Sequence, residues 1–334
     1  MARIRTTQRQ MDTVTCRILP WEVPDRAGTS RPWCRNENAE ADNGDSPLHS
    51  ASCGKYKSQE DGVRIVRLFL ERGMDVNRKR NDHCTPLHVA SYCGKVEIVR
   101  LLLECGARVD VGASTGAIPL HSVSWGEYES QEDGIHVARL LLERASDVNA
   151  RGKDKWTPLH AAAYYGKPEI VRLLLDHSAE ANSEADNGDT PLHLVSRGKY
   201  EPPEDGVRVA RLLLERGADV NKQRHNDQCT ALHSASYWGK IDVVQLLLED
   251  GARTNVEAST GATPLHSVSW GEHGSQEDGV RIGRLLLEHG ADVNAKAKSG
   301  QTPIDSATRN QRFKLAQLLL ENAVIFHAQR PRAS

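Results

Sequence analysis

Aromatic residues are scarce in this chain: phenylalanine occurs three times in 334 residues, and Phe, Trp and Tyr together make up 5%. That excludes a core of stacked rings and leaves Leu, Val and Ala to fill the interior. The characteristic apolar runs are Leu-Leu-Leu triplets such as Leu101–Leu103, far short of the roughly 18 apolar residues a membrane-spanning helix needs, so no membrane is expected. A bias of charge is missing too. The 43 Lys and Arg oppose 45 Asp and Glu with both signs interspersed, for a net charge of −2, so no field of one sign gathers nucleic acid. The seven cysteines are odd in number and hold no C-x-x-C pair. A disulfide framework is not expected, and a reducing compartment, cytoplasmic or nuclear, fits better. The N-terminus lacks the apolar core of a secretory signal. Residues 1–19 set four arginines against the single acid Asp12, the composition of a disordered arm more than of an organelle presequence. H-E-x-x-H, G-x-S-x-G and phosphate-loop motifs are missing as well, so no enzyme is expected.

Repetition is what the chain has in abundance. One tetrapeptide recurs as Ser46-Pro-Leu-His49, Thr85-Pro-Leu-His88, Ile118-Pro-Leu-His121, Thr157-Pro-Leu-His160, Thr190-Pro-Leu-His193, Thr230-Ala-Leu-His233, Thr263-Pro-Leu-His266 and Thr302-Pro-Ile-Asp305. These starts step by 39, 33, 39, 33, 40, 33 and 39 residues. A second motif follows each, as in Val99-Arg-Leu-Leu-Leu-Glu104, and then a Gly-Ala-Asp-Val-Asn segment, as at Gly217 to Asn221. Self-similarity of this kind marks a solenoid.

The motifs resemble the ankyrin repeat over about residues 40–325. The resemblance implies an all-α repeat solenoid: helix–turn–helix units joined by β-hairpin fingers, piled into a curved stack. It also implies a protein that works by binding other proteins and needs no cofactor. The expected organisation is an N-terminal arm over 1–37, disordered or an irregular cap, eight repeats over 38–325 alternating between about 39 and 33 residues, and a basic tail over 326–334.

Local chemistry supports the same layout. Thr before Pro supplies an N-cap, and Pro suits the first helical position, where its missing N–H costs nothing. The segment Thr157 to Gly166 therefore predicts a short helix from Pro158 that ends against the glycine. A second helix is predicted from Pro168 to about Asp176, with Ile170, Val171, Leu174 and Leu175 on one face. Helices this short are marginal alone, so each repeat must bury its apolar faces on its neighbours.

The alternation has a source. Twelve positions separate the two glycines Gly94 and Gly106 of a short repeat, and nineteen separate Gly54 from Gly73 or Gly198 from Gly217 in long ones. The extra residues are Tyr56-Lys-Ser-Gln-Glu-Asp-Gly62, with copies near Asp133, Asp205 and Asp278. Ser58 with Asp61, Ser130 with Asp133 and Ser275 with Asp278 have capping-box spacing, which predicts a longer loop and an extra helical turn. A tolerated loop insertion is the favoured reading; an acidic recognition edge is the other. A larger period of about 145 residues relates Ala113–Ala117 to Ala258–Ala262 and Ser122–Gly126 to Ser267–Gly271, so the array resembles a duplicated four-repeat block. Upstream no further helix pair is encoded, and the N-terminal edge is either uncapped or covered by residues 11–24 (Met11, Val14, Ile18, Leu19, Trp21). At the other end Asp305 replaces His and Asn310 replaces Gly, beside Arg309, Gln311, Arg312 and Lys314. That polarity suits a terminal capping repeat.

His49, His88, His121, His160, His193, His233 and His266 occupy one repeat position. Stacked layers would hold them roughly 8–10 Å apart, too far to share one ion with bonds near 2 Å. No metal site is expected, and the resemblance gives them a structural role, tying each helix start to nearby backbone. Cys84, Cys93 and Cys105 correspond to Cys229, Trp238 and Asp250 in the duplicate, so most are read as buried apolar filler. Glu132-Asp133 and Glu204-Asp205 are read as solvated acids without a catalytic role. The resemblance places Tyr92, Trp125, Trp156, Tyr164, Tyr165, Tyr237, Trp238 and Trp270 at positions that face the groove; they are either binding anchors or rings packed on the next repeat and half showing. Finger tips differ in sign: Arg78-Lys-Arg80 and Lys222-Gln-Arg224-His225 are basic, Lys153-Asp-Lys155 mixed, Glu184-Ala-Asp186 with Asp189 acidic. Such tips suit charge complementarity toward a partner. The expectation is a monomeric scaffold or adaptor that grips a protein through groove and fingers. The alternative is the recognition segment of a larger signalling or enzyme assembly.

Overall fold

The computed structural model describes residues 44–54, 56, 58–272 and 275–329, with side chains as far as Val324. The expected arm over 1–37, the covering segment 11–24 and residues 330–334 of the tail lie outside the described residues. Each Pro-Leu-His segment and its variants starts a short inner helix: α1 (Pro47–Cys53), α3 (Pro86–Tyr92), α5 (Pro119–Trp125), α7 (Pro158–Tyr164), α9 (Pro191–Val195), α11 (Ala231–Tyr237), α13 (Pro264–Trp270) and α15 (Pro303–Arg309). Each Leu-Leu-Leu segment lies in an outer helix: α2 (Gln59–Glu71), α4 (Val96–Glu104), α6 (Gln131–Glu143), α8 (Pro168–Asp176), α10 (Pro203–Glu215), α12 (Ile241–Glu249), α14 (Gln276–Glu288) and α16 (Phe313–Gln329). Inner helices stack on inner and outer on outer in chain order, from α1 on α3 to α13 on α15 and from α2 on α4 to α14 on α16. One continuous core runs through both layers, from Leu48 at one end to Leu319 at the other.

The long repeats carry their extra residues as a turn of helix. Outer helices α2, α6, α10 and α14 have 13 residues where α4, α8 and α12 have 9. Ser58, Ser130 and Ser275 accept the backbone N–H of Asp61, Asp133 and Asp278 at 3.2, 3.3 and 3.2 Å, which satisfies a donor that a helix start otherwise leaves open.

The fingers reverse the chain by tight turns, and among the described residues they carry no β-strand. Single backbone bonds close them, such as Arg80 N–H to Cys84 O at 3.1 Å and Ala185 N–H to Asp189 O at 2.9 Å. Their arms are too short for a longer ladder. Instead each finger bonds to the next, as Ser114 N–H does to Asp82 O at 2.7 Å and Asp186 N–H to Asp154 O at 2.8 Å.

Two side-chain ladders lock the layers in register. In the first, each repeat histidine accepts the backbone N–H of its own N-cap residue at Nδ1, as with Thr157 N to His160 Nδ1 at 3.2 Å. Its Nε2–H is then fixed as a donor to a carbonyl of the following repeat. The distances are 3.0 Å for His49 to Cys84 O, 2.9 Å for His88 to Ala117 O, and 3.0 Å for His121 to Trp156 O. They are 3.1 Å for His160 to Asp189 O and for His193 to Cys229 O, 3.2 Å for His233 to Ala262 O, and 3.1 Å for His266 to Gln301 O. The tie therefore reaches across repeats, beyond the local helix start the sequence suggested.

In the second ladder, the Asn that closes each Gly-Ala-Asp-Val-Asn segment reaches the same segment one layer on. Asn77 Nδ2–H donates to Gly106 O at 3.1 Å while its Oδ1 accepts Arg108 N–H at 2.9 Å. Asn149, Asn182, Asn221 and Asn255 repeat the pair of bonds toward Ser178 and Glu180, Gly217 and Asp219, Gly251 and Arg253, and Gly290 and Asp292. Between the second and third repeats Asp110 stands in this place and pairs with Arg108 of its own segment at 2.9 Å. A carboxylate cannot donate to Ala145 O. The variant Asp110→Asn is expected to add the missing rung and raise stability by about 1 kcal/mol, since the exposed ion pair it removes contributes little. A chemical denaturation midpoint that stays put or falls would refute that reading.

Two expectations are corrected. Cys53 and Cys93 are joined by a disulfide, with Cα atoms 5.7 Å apart, where reduced filler cysteines were expected. The pair forms across a repeat, 40 residues apart, and a search for local spacing does not see it. Cys84 and Cys229 are buried. At the far end, α16 runs on through residues 326–329, which had been given to the tail. Earlier outer helices stop where a residue such as Gly217 turns left-handed at φ 80° before an Asp-x-Asn turn. Ala323-Val-Ile-Phe-His327 supplies neither the glycine nor the Asp, so nothing stops the helix there.

Candidate protein-binding face

The exposed lip of the inner layer is built where each inner helix ends. In short repeats the helix has one more residue before its turn glycine than in long ones, which sets two adjacent side chains on the lip: Tyr92-Cys93, Tyr164-Tyr165 and Tyr237-Trp238. Tyr92 and Tyr164 are buried, whereas Tyr165, Tyr237 and Trp238 are half-buried. The rings of Tyr164 and Tyr165 meet edge-on at 5.2 Å, as do Tyr237 and Trp238 at 5.3 Å, a geometry aromatic quadrupoles favour. Trp156, before the N-cap of α7, lies 6.0 Å from Tyr164 and stacks on His160 at 6.3 Å. Trp125 and Trp270 tilt over the ladder histidines His121 and His266 at 5.8 and 5.9 Å. Five of the eight expected residues thus fall into two small clusters, Trp156, Tyr164 and Tyr165 in one and Tyr237 and Trp238 in another, while Trp270 packs on Cys229, Ala258 and Ala262. The indole N–H of Trp238 is buried without an acceptor, so this ring holds its place by apolar packing.

The inserted segment packs into the stack through its tyrosine. Tyr128 packs so closely on Gly134 that a Cβ there would lie 2.5 Å from the ring, and a Cβ on Gly94 of the preceding repeat would lie 2.5 Å from the Tyr128 Cβ. Only glycine admits this approach. The Tyr56 and Tyr128 hydroxyls donate to Ala51 O at 2.6 Å and Val123 O at 2.8 Å. Lys167 and Lys240, from the next repeats, set their ammonium groups 4.5 and 4.4 Å from the Tyr128 and Tyr200 ring centres. Burial lowers the Lys240 pKa. The insertion is a tyrosine wedge that joins three successive repeats.

Three of the finger charges, Arg80, Asp189 and Arg224, are buried. Arg224, 3% exposed, pairs with Asp189 of the preceding finger at 3.1 Å and Asp227 of its own at 2.6 Å, and Arg197 also pairs with Asp189. Burial works to raise the Asp189 pKa, but Arg197 and Arg224 outweigh it and hold the carboxyl below the usual range. The first block repeats the motif: Arg80 binds Asp45 at 3.0 Å and Asp82 at 2.7 Å. Burial alone would lower the Arg80 pKa, and the two acids reverse that. Lys155 meets Asp186, and Lys222 meets Glu184, each at 2.7 Å. The basic and acidic tips thus complement one another from finger to finger. Sequence supplied their signs but not their burial. Among the described residues, no group of three or more His, Cys, Asp or Glu could hold a metal ion, and no helix is long and apolar enough to cross a membrane.

Two family models, described as ankyrin repeats in three and in many copies, match residues 28–113, 128–224, 188–258 and 204–297, and residues 278–320. The chain belongs to the ankyrin repeat family. Its repeats are thereby modules of a kind that serves protein–protein interaction. Human ankyrin repeat and SOCS box protein 16 is 38% identical over 140 residues, 40% of this chain and 30% of that protein. Human Rabankyrin-5 is 35% identical over 82 residues, 21% of this chain and 7% of that protein. Human neurogenic locus notch homolog protein 1 is 29% identical over 122 residues, 36% of this chain and 4% of that protein. The curated relatives it matches are thus far longer than the stretch it shares with them. The ankyrin repeat domain of human ASB11 superposes with a TM-score of 0.59 at 23% identity, covering 74% of this chain and 99% of that one, a likeness of fold.

Proposed function

We propose that this ankyrin array is a protein-binding scaffold whose partner docks on the lip formed by Trp156, Tyr165, Tyr237 and Trp238. The observation that carries the reading is the half-exposed state of these rings in a chain with so few aromatics. Large rigid rings, partly desolvated and already held by neighbours, lose little entropy when a partner covers them. The finger charges, neutralised among themselves, contribute orientation more than affinity. A second reading, a recognition segment of a larger signalling or enzyme assembly with its effector domain outside this chain, draws on the small share of each relative's length that the chain spans.

The test is capture of partners by the full chain, followed by affinity measurement on Trp238→Ala and Tyr165→Ala. Each substitution is expected to weaken binding by about 2 kcal/mol, roughly thirtyfold. Circular dichroism checks that the fold survives, and Trp238→Phe, which keeps an aromatic ring but loses the N–H and part of the indole's area, serves as the conservative comparison. Unchanged affinity in both alanine variants would remove the groove assignment.

A further inference from the structure

We propose that Cys53 and Cys93 form a reversible disulfide staple, set by small-molecule disulfides, that controls how firmly the first described repeat is held to the second. Cys53 ends α1 and Cys93 caps the end of α3. Their Cα atoms stand 5.7 Å apart, within the spacing a disulfide takes without moving the backbone. Solvent reaches the pair through Cys53, which is half-buried, while Cys93 is 8% exposed and Cys84 is fully covered. Burial also pushes the Cys84 thiol pKa up, which makes it inert toward exchange.

The fold does not depend on the bond. In the second block the same two positions hold Arg197 and Trp238, and α9 packs on α11 with no covalent link. In the next pair of the first block they hold Trp125 and Tyr165. A joint that forms with unlinked side chains at the same positions tolerates the reduced state. What the bond changes is the hold on α1 and α2, which among the described residues have a neighbouring repeat on one side only. Ile65 and Leu68 on α2 are 36% and 45% exposed, while their counterparts Val209 and Leu212 on α10, flanked on both sides, are 0% and 8%. The stapled repeat is thus one of the two that have a single neighbouring repeat among the described residues.

The chemistry is thiol–disulfide exchange with a compound of the glutathione disulfide class, RSSR. The Cys53 thiolate attacks one RSSR sulfur, forming a mixed disulfide and releasing one RS⁻. The Cys93 thiolate then attacks the Cys53 sulfur and releases the second RS⁻. The two thiol protons pass to the two leaving thiolates, so RSSR and two cysteines give one cystine and two RSH. Excess dithiol runs the sequence backward.

The proposal does not rest on partner docking, and its test uses the full chain without a partner. After equilibration with glutathione disulfide, peptide mass spectrometry is expected to find Cys53 linked to Cys93, with Cys84 and Cys229 still as thiols. Hydrogen exchange through residues 47–71 is expected to slow by about tenfold or more on oxidation, with the repeats beyond residue 118 unchanged. Dithiothreitol under native conditions should reverse both effects, and Cys53→Ser should exchange at the reduced rate in either buffer. Failure of the link to form, equal exchange in the two states, or reduction only after unfolding would each overturn the proposal.

Discussion

Taken from pH 7.5 to pH 5, the array is expected to lose most of its stability and to unfold between about pH 6 and pH 4, followed by far-ultraviolet circular dichroism. The cause is the histidine ladder. Burial lowers the pKa of His88, His121, His160, His193 and His233 to about 4, and lowers those of His49 and His266 as well. In the unfolded chain the same rings titrate near 6.5. Between these values the unfolded state binds more protons, so stability is complete above about pH 6.5 and falls as pH drops toward 4. At pH 5 each of the five rings costs about 2 kcal/mol. Together that approaches the roughly 5–15 kcal/mol of a whole domain. The structural reason is specific. A proton added at Nδ1 meets the N–H that this nitrogen accepts, such as that of Thr157 at 3.2 Å, and sets a buried charge whose desolvation outweighs the pull of nearby acids such as Asp189 near His193. An acid transition centred below pH 4 would show that the ladder does not govern acid stability.

How much of this was legible beforehand differs by element. The period gave the stack, because a helix pair that cannot bury its faces alone has one solution. Thr-Pro and Ser-x-x-Asp gave the helix starts to within a residue, since capping is local chemistry. The ladder histidines were identifiable as a set, but not the atom each reaches, which lies about one repeat away. The tyrosine wedge left a signal that went unused: Tyr56, Tyr128 and Tyr200 each precede Gly62, Gly134 and Gly206 by six residues. A constant ring-to-glycine spacing points to a ring lying on that glycine. The finger arginines left another, for Arg80 and Arg224 each follow Asp45 and Asp189 by 35 residues, close to one repeat. Read one finger at a time, those charges suggested surface; read one layer apart, they are partners. The lip aromatics were placed by the resemblance alone. Their clustering depends on side-chain directions that a one-dimensional pattern does not carry.

The finger network also bears the sharpest mutational test. Asp189 is fully buried between Arg197 and Arg224, whose side chains are 9% and 3% exposed, and Asn187 donates to the same carboxylate at 2.6 Å. Replacing it, Asp189→Ala, leaves two guanidinium groups facing each other out of water with only Asp227 beside Arg224. The expected cost is about 3–5 kcal/mol, read from chemical denaturation, with hydrogen exchange showing the loss concentrated at the joint between α9 and α11. A buried ion pair is not in itself a large source of stability, because desolvation opposes the attraction. The combined variant Asp189→Leu, Arg197→Met, Arg224→Met should therefore recover most of what the single change loses. If Asp189→Ala costs under about 1 kcal/mol, water reaches the arginines, and the fingers are held by their backbone bonds alone.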